Sequence, residues 1–476
     1  MDTLTRYDFK FHTFGCKVNT YDTGLLEQRL KPRMLEVSLE AEPGSRALAR
    51  VHVLNTCAVT AEATVEATKL VRRLKSREPL STIVVTGCGA QVDGEIFDHL
   101  PGADLVVANS HKGQLEEILD QHFKGTAKSR VFRSNIFRKD DLEAGGGIEA
   151  SHTRAFLKIQ DGCNSFCTYC VIPFARGKSR SLAIDHLTMR VRELTEKLNF
   201  SEVVLTGVHI GDYEDPSAGA KRGLEDLIET LLSETSVSRL RLTSLEPVEL
   251  TPRLLALFKN PRLCPHFHMS IQSANSRILK AMKRQYTADD VEFALGQIAQ
   301  SVPQAFVGMD VIAGFPGESE DEFEDTYRRL ERLPWTRLHV FPYSNRPGTK
   351  ASLLVSQLDD KVKTMRALRL RQLSSDRFKA SAARQVGQEK HALLLERHLT
   401  EKDLADRQKM PQIEALTRDY WPLKIVRTGG SGLSLEDYLR LRAKSGREIK
   451  VRVLAVDRPT VGRMDARLLA CALEND

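Results

Sequence analysis

Three cysteines, Cys163, Cys167 and Cys170, crowd into the stretch "DGCNSFCTYC". Thiolates are soft ligands, suited to zinc or to iron–sulfur clusters. A structural zinc site takes four ligands, commonly as two paired knuckles, and no His or Cys stands in residues 171–185 to complete one. Three thiolates suit a [4Fe–4S] cluster with one iron left open to an exogenous ligand. Zinc stands as the alternative.

A second set is scattered. Cys16, Cys57 and Cys88 each end a short apolar run, in "FKFHTFGC", "VHVLNTC" and "STIVVTGC". In a parallel sheet, equivalent strand ends lie along one edge, so three cysteines converge there without any local motif. The plainer reading is three buried thiols behaving as small hydrophobes. Recurrence at the same place in three β–loop–α units favours a second cluster with a free iron. Cys264 and Cys471 have no such context and read as structural thiols.

The elements that must position these residues fall into three parts. Residues 1–140 alternate short apolar strands with helical runs such as "AEATVEATKLVRRLKSR", which predicts an α/β domain on a parallel sheet. A Gly-rich acidic stretch, "RKDDLEAGGGIEASH", reads as a linker. Residues 152–384 open with the strand "RAFLKIQ" and the cysteine loop, then repeat β–α units about six times. That pattern suits a partial or full β/α barrel. Residues 385–476 read as short strands, "HALLLERHLT", "YWPLKIVRT", "GREIKVRVLAVD" and "RMDARLLACAL", and predict a small β-barrel.

The 476 residues carry 70 Lys and Arg against 63 Asp and Glu, a net charge of +7 that permits a polyanionic partner. No apolar run approaches the roughly 18 residues of a membrane span, and the first residues lack an apolar secretory core. A cytoplasmic protein is expected. Its eight cysteines then point to metal or catalysis rather than disulfides.

The C-x3-C-x2-C loop after a strand resembles that of radical S-adenosylmethionine (SAM) enzymes. In that superfamily the open iron is chelated by SAM, which one electron cleaves to a 5′-deoxyadenosyl radical. The resemblance implies SAM contacts for Tyr169 between the cysteines, Thr206 and Gly207 in "LTGVHIG", and Gly314, Phe315, Pro316 and Gly317 in "GFPGE". Ser244 and Glu246 in "TSLEP", with Ser270 and Gln272 in "HMSIQSA", are expected to face SAM ribose or substrate, or to fill the barrel. Arg176 and Arg346, in glycine-adjacent loops, are candidates for phosphate or the SAM carboxylate.

"TFGCKVNTYDTG", "NTCAVTAEA" and "VTGCGAQ" resemble the N-terminal domain of methylthiotransferases. With the barrel and a TRAM-like RNA-binding tail, the resemblance covers nearly the whole chain. It implies two [4Fe–4S] clusters. The one on Cys16, Cys57 and Cys88 would carry a sulfur that one SAM methylates, and the other would generate the radical that activates an aromatic C–H. The words "GCKVN" and "NTCAVT" are similar to those of enzymes acting on N6-threonylcarbamoyladenosine at position 37 of ANN-decoding tRNAs. The same chemistry on isopentenyladenosine or on a ribosomal-protein aspartate is the alternative. The chain departs from that pattern at Gly24 and at Ala274, Asn275 and Ser276. A reductant such as flavodoxin or ferredoxin is implied.

RNA needs a basic platform. Residues 361–384 hold eight Lys and Arg against one acid, Asp376, making Lys361, Lys363, Arg366, Arg369 and Arg371 candidates. Lys444, Arg447, Lys450 and Arg452 are candidates in the tail. Phosphate contacts would make binding salt-dependent, and an unstacked loop base suits single-stranded recognition.

Overall fold

The computed structural model describes residues 7–33, 50–139, 142, 153–217, 219, 221–395, 413–427, 433, 435–457 and 467–473. Its first unit is a five-stranded parallel sheet. The strands β1 (Asp8–Thr13), β2 (Arg50–Thr56), β3 (Thr82–Gly87), β4 (Leu105–Ala108) and β5 (Val131–Phe132) lie in sequential order. The helix Ala61–Arg77 crosses from β2 to β3, and Leu115–Phe123 crosses from β4 to β5. The Val and Ile runs of β2 and β3 are buried on both faces, as parallel strands under helices require.

The second unit is an open barrel of six parallel strands. β6 (Ala155–Lys158) is followed by a two-stranded hairpin, β7 (Gln160–Asp161) with β8 (Arg180–Ser181), that encloses the cysteine loop. β9 (Glu202–Thr206) pairs with β6, and β10 (Arg239–Leu242) with β9. β11 (His266–Gln272), β12 (Phe306–Ala313) and β13 (Arg337–Pro342) form a second parallel set. Parallel bridges Leu240–Leu263 and Leu245–Met269 join the two sets. The barrel is therefore partial. Its open side, beside β6, receives the helix Lys17–Leu30 of the first unit, whose Tyr21 is fully buried in the barrel's main core.

The third unit is a small closed barrel ordered β14 (Glu389–Leu395), β15 (Ile413–Thr417), β16 (Pro422–Ile425), β18 (Arg467–Ala472) and β17 (Glu448–Asp457). The strand β15 and the helix Leu435–Arg442 were not anticipated from sequence; of the expected strand "HALLLERHLT", residues 396–400 lie outside the described residues, as do 463–466 of "RMDARLLACAL". This unit seats against the amino ends of the large barrel's strands. Arg239 and Arg241, both wholly buried, bind Glu202 and also the carbonyls of Leu416 and Arg418, and Arg239 pairs with Glu448. Among the described residues no helix is long and apolar enough to cross a membrane.

Candidate active site

β1, β2 and β3 are neighbours, so their carboxyl ends form one edge. Register pairs Thr56 with Gly87, which makes Cys57 and Cys88 the next residues on adjacent strands about 4.8 Å apart. Cys16 caps the helix Lys17–Leu30 two residues beyond Phe14, whose N–H still bonds Asn55. Gly15 has φ +93°, and a Cβ there would stand 2.6 Å from Cys57 Sγ, so only glycine lets the two cysteines approach. The Val59 N–H donates to Cys57 Sγ at 3.4 Å, and Asn109 Nδ2 to Cys88 Sγ at 3.6 Å. Burial pushes the Cys57 thiol up to about 12, and the neighbouring Cys88 and Cys16 thiolates add to the shift. Burial raises Cys88 too, opposed by the Arg176 guanidinium.

The second triad is held by a crossing of backbone. Gly162, φ +79°, passes so close to Lys178 that a Cβ would lie 1.9 Å from its carbonyl oxygen, and the Cys163 N–H bonds the Gly177 carbonyl at 3.1 Å. The Cys170 N–H then bonds the Cys167 carbonyl at 3.0 Å, turning the third thiol back toward the others. Donors face each sulfur: the Ser165 N–H toward Cys163, the Ile172 N–H toward Cys170, and Arg284 Nη1 toward Cys167 at 3.3 Å. Burial pushes Cys170 up to about 12, with Cys167 and Cys163 adding charge repulsion. At Cys163 burial also acts upward, but hydrogen bonds from His209 and Ser165 outweigh it and the thiol is lowered.

The triads meet. Cys88 packs in one apolar cluster with Ala58, Val171 and Ala175, and Val171 directly follows Cys170. Arg176, at the end of the helix Ile172–Arg176, crosses between the units. It binds Asp161 at 2.9 Å, Asn19 Oδ1 at 2.6 Å and Asp22 at 3.0 Å. Lys158 and Lys112 also bind Asp22, at 2.6 and 3.2 Å. Three buried cations thus face two buried carboxylates, leaving net positive charge behind Cys88. Arg176, expected at a phosphate or SAM carboxylate, is 3% exposed and occupied by these acids. Arg346, 4% exposed, makes two bonds to Asp93 and likewise ties the barrel to the first unit.

All eight cysteines are free thiols, and among the described residues no three His, Cys, Asp or Glu side chains converge closely enough for a single metal ion. A structural zinc site wants four protein ligands, and each triad offers three thiols. The donor set suits a polynuclear cluster, which would spread three thiolates over separate irons and whose positive charge would offset the burial and repulsion that raise Cys57 and Cys170.

The chain matches the Radical SAM superfamily over residues 157–330 and the uncharacterized protein family UPF0004 over residues 8–108. It is 37% identical over 397 residues to a protein of Aquifex aeolicus named threonylcarbamoyladenosine tRNA methylthiotransferase MtaB, covering 82% of this chain and 94% of that one. A protein of the same name from Bacillus subtilis is 35% identical over 78% of this chain and 81% of its own. The chain belongs to the radical SAM methylthiotransferase family. It is an enzyme of that type, and SAM and [4Fe–4S] clusters are the family's cofactors. The fold is also shared with a radical S-adenosylmethionine methyltransferase, TsrM, from Kitasatospora setae, with a TM-score of 0.54 and 12% identity over 73% of this chain and 77% of that one.

Around Cys163, Cys167 and Cys170 the structure gathers most of the expected residues at the carboxyl ends of the barrel strands. Thr206 ends β9, and a Cβ on Gly207 would lie 3.0 Å from the Gln160 carbonyl beside the cysteine loop. Glu246 lies 2.8 Å from Arg284 and 3.5 Å from His209, and burial raises its carboxyl. Ser244 is half-buried after β10; the Ser270 carbonyl accepts from Arg284 and Tyr286. Gln272 ends β11 beyond a register break with φ +61°, a strained value for a side chain of its kind. Tyr169 packs against the cluster containing Phe315 and Tyr343.

The "GFPGE" segment follows β12. Phe315 and Pro316 are buried, and Phe315 is core. The close approach at Gly314, φ +75°, is to Lys363, whose Cγ would lie 2.5 Å from a Cβ. Gly317, φ +77°, faces Ser356. His209 and Arg284 were not singled out from sequence. His209 lies against Asp212, Glu246 and Glu249; burial opposes its charge, but these acids and Cys163 raise it well above the ordinary imidazole range.

The candidates for a basic platform divide. Arg366, 5% exposed, binds Glu318 and Glu320 at 2.8 Å. Arg369 pairs with Glu324 and lies over Phe323 and Tyr327, and Arg371 donates to the Val340 carbonyl. These three pin the helix Asp360–Ala383 to the barrel. Lys363 pairs with Asp360, and Lys361 is exposed. In the tail, Lys450 and Arg452 share the single acid Glu389, Arg447 is exposed and Lys444 half-buried.

Proposed function

We propose that the chain installs a methylthio group at C2 of N6-threonylcarbamoyladenosine at position 37 of tRNA. The observation that carries this reading is the packing of Cys88 on Val171 and Ala175, which sets one triad member beside the residue that follows Cys170. The printed names of the relatives supply the substrate. When bound, the clusters and SAM supply a transferable methylated sulfur and a radical, which an unactivated aromatic C–H requires.

The chain's own residues do the rest. Cys163, Cys167 and Cys170 would hold the cluster that faces SAM, and Cys16, Cys57 and Cys88 the other. Arg284, with the Ser165 and Ile172 N–H groups, places positive charge at the first set of sulfurs. Such donors to sulfur tune a cluster's potential. Arg176, Lys158 and Lys112 do the same behind Cys88. His209 holds a proton among Asp212, Glu246 and Glu249. Glu246 and Gln272 would contact the ribose, Thr206 and Gly207 would offer backbone to the SAM amino group, and Tyr169 with the 314–317 segment would border the adenine. A small one-electron reductant protein is required, with flavodoxin or ferredoxin as candidates.

The test is nucleoside analysis of tRNA from a strain lacking this chain. Loss of the 2-methylthio form with accumulation of its threonylcarbamoyl precursor is expected. An unchanged 2-methylthio-threonylcarbamoyladenosine level, or loss of the isopentenyl form instead, refutes the reading.

A further inference from the structure

The barrel lumen carries polar groups that neither cluster nor the SAM end uses. On β11, Phe267, Met269 and Ile271 belong to the outer core, so His266, His268, Ser270 and Gln272 face inward. By the same alternation β12 turns Gly308 and Asp310 inward, and β13 turns His339. Register sets His268 beside Gly308 and Asp310 beside His339. His268 Nε2 lies 2.9 Å from Asp310 Oδ2, and the two imidazoles stand 5.4 Å apart. A Cβ on Gly308 would meet nothing closer than 3.7 Å, so the wall between the rings is open. Barrel interiors are ordinarily filled by branched apolar side chains. Here His268 and Asp310 keep 18% and 22% of their side-chain surface accessible in mid-barrel, as a wet recess requires.

A cation stands at the barrel's open side. Lys17 follows Cys16 on the helix that closes the barrel's open side, and it is half-buried. Among the described residues no carboxylate lies within ion-pair distance of its ammonium. One turn further on, Tyr21 is buried in the barrel's main core, so Lys17 shares the helix face turned toward the barrel. The other charges there are engaged. Arg241 binds Glu202, Arg154 bonds Tyr420 and reaches Glu202 at 3.5 Å, Arg337 lies over Phe378, and Asp310 has His268. A half-buried cation without a counter-ion among the described residues, beside imidazoles and a carboxylate already paired with one of them, is matched to an anionic, hydroxyl-bearing ligand.

We propose that Lys17, with His268, Asp310 and His339, forms the subsite for the threonylcarbamoyl substituent, Lys17 facing its carboxylate and the His268–Asp310 pair its hydroxyl and urea groups. The assignment rests on the proposed function. It places the N6 substituent next to Cys16, consistent with C2 and N6 lying on the same edge of adenine with only N1 and C6 between them. An isopentenyl group would leave these polar side chains without partners, a mismatch that polar sites reject strongly.

The test compares two anticodon stem-loops, one bearing threonylcarbamoyladenosine and one bearing its threonine carboxamide, which keeps the shape and removes the charge. Dissociation constants for the purified chain and kcat/KM for the reconstituted enzyme are measured, with iron content as a control. The wild type is expected to favour the carboxylate by about tenfold or more, mostly in KM. Lys17→Met is expected to bring that ratio to about one, and Lys17→Arg to restore most of it. A wild type that modifies both stem-loops equally, or a Lys17→Met variant that keeps the wild-type ratio, overturns the subsite while leaving the function standing. A wild type that modifies neither stem-loop overturns the function and the subsite together.

Discussion

At Gly15 the backbone runs at φ +93°, with a Cβ position 2.6 Å from Cys57 Sγ. Gly15→Ala is expected to cost the first triad its cluster and spare the second. Iron per reconstituted chain should fall from about eight to about four, with 5′-deoxyadenosine formation retained; full iron content would contradict this role. Asp22 is a second sensitive position. Burial alone would raise its carboxyl, but Lys112, Lys158 and Arg176 hold it well below the usual range, and Arg176 and Lys158 do the same for Asp161. A carboxyl depressed in the folded state stabilises fully above its unfolded value near 4, and that stability is lost as pH falls toward the folded value. Urea midpoints should therefore drop below about pH 4. Asp22→Asn leaves three buried cations with one carboxylate, a loss of about 3 to 5 kcal/mol at neutral pH, and should flatten the acid limb. An unchanged midpoint at pH 7 would contradict the bridging role.

At the scale of elements, the helix Asp360–Ala383 shows where sequence reading ran short. Its seven basic residues look the same in sequence whether they meet solvent, RNA or the protein's own acids. The partners Glu318, Glu320 and Glu324 lie some 45 residues upstream, and only the fold brings them together. Strand ends were easier. Apolar runs ending in Cys57 and Cys88 announce both the strands and the shared edge, because parallel register follows from the alternation of elements. His209 and Arg284 were not legible, since their roles come from contacts across 40 to 120 residues. Nor were β15 and the helix Leu435–Arg442, both short and weakly patterned. Arg366 also holds Glu318, whose carboxylate accepts the Gly314 N–H. Arg366→Met should loosen the 314–317 segment and raise the SAM concentration needed for half-maximal 5′-deoxyadenosine formation several-fold, with little change in tRNA binding. The opposite pattern would return this arginine to the RNA platform.

For the whole molecule, three units are joined by buried charge rather than by linkers alone. Arg176 and Arg346 tie the first sheet to the barrel, and Arg239 and Arg241 tie the barrel to the small closed barrel. The proposed function gives the two triads separate tasks, and that division is the central claim. It is tested most directly by measuring 5′-deoxyadenosine and 2-methylthio-threonylcarbamoyladenosine in the same reconstituted reaction with Cys88→Ala and with Cys167→Ala. Cys88→Ala should still form 5′-deoxyadenosine while yielding no methylthiolated nucleoside, and Cys167→Ala should form neither. A Cys88→Ala enzyme that still methylthiolates, or a Cys167→Ala enzyme that still forms 5′-deoxyadenosine, would contradict it.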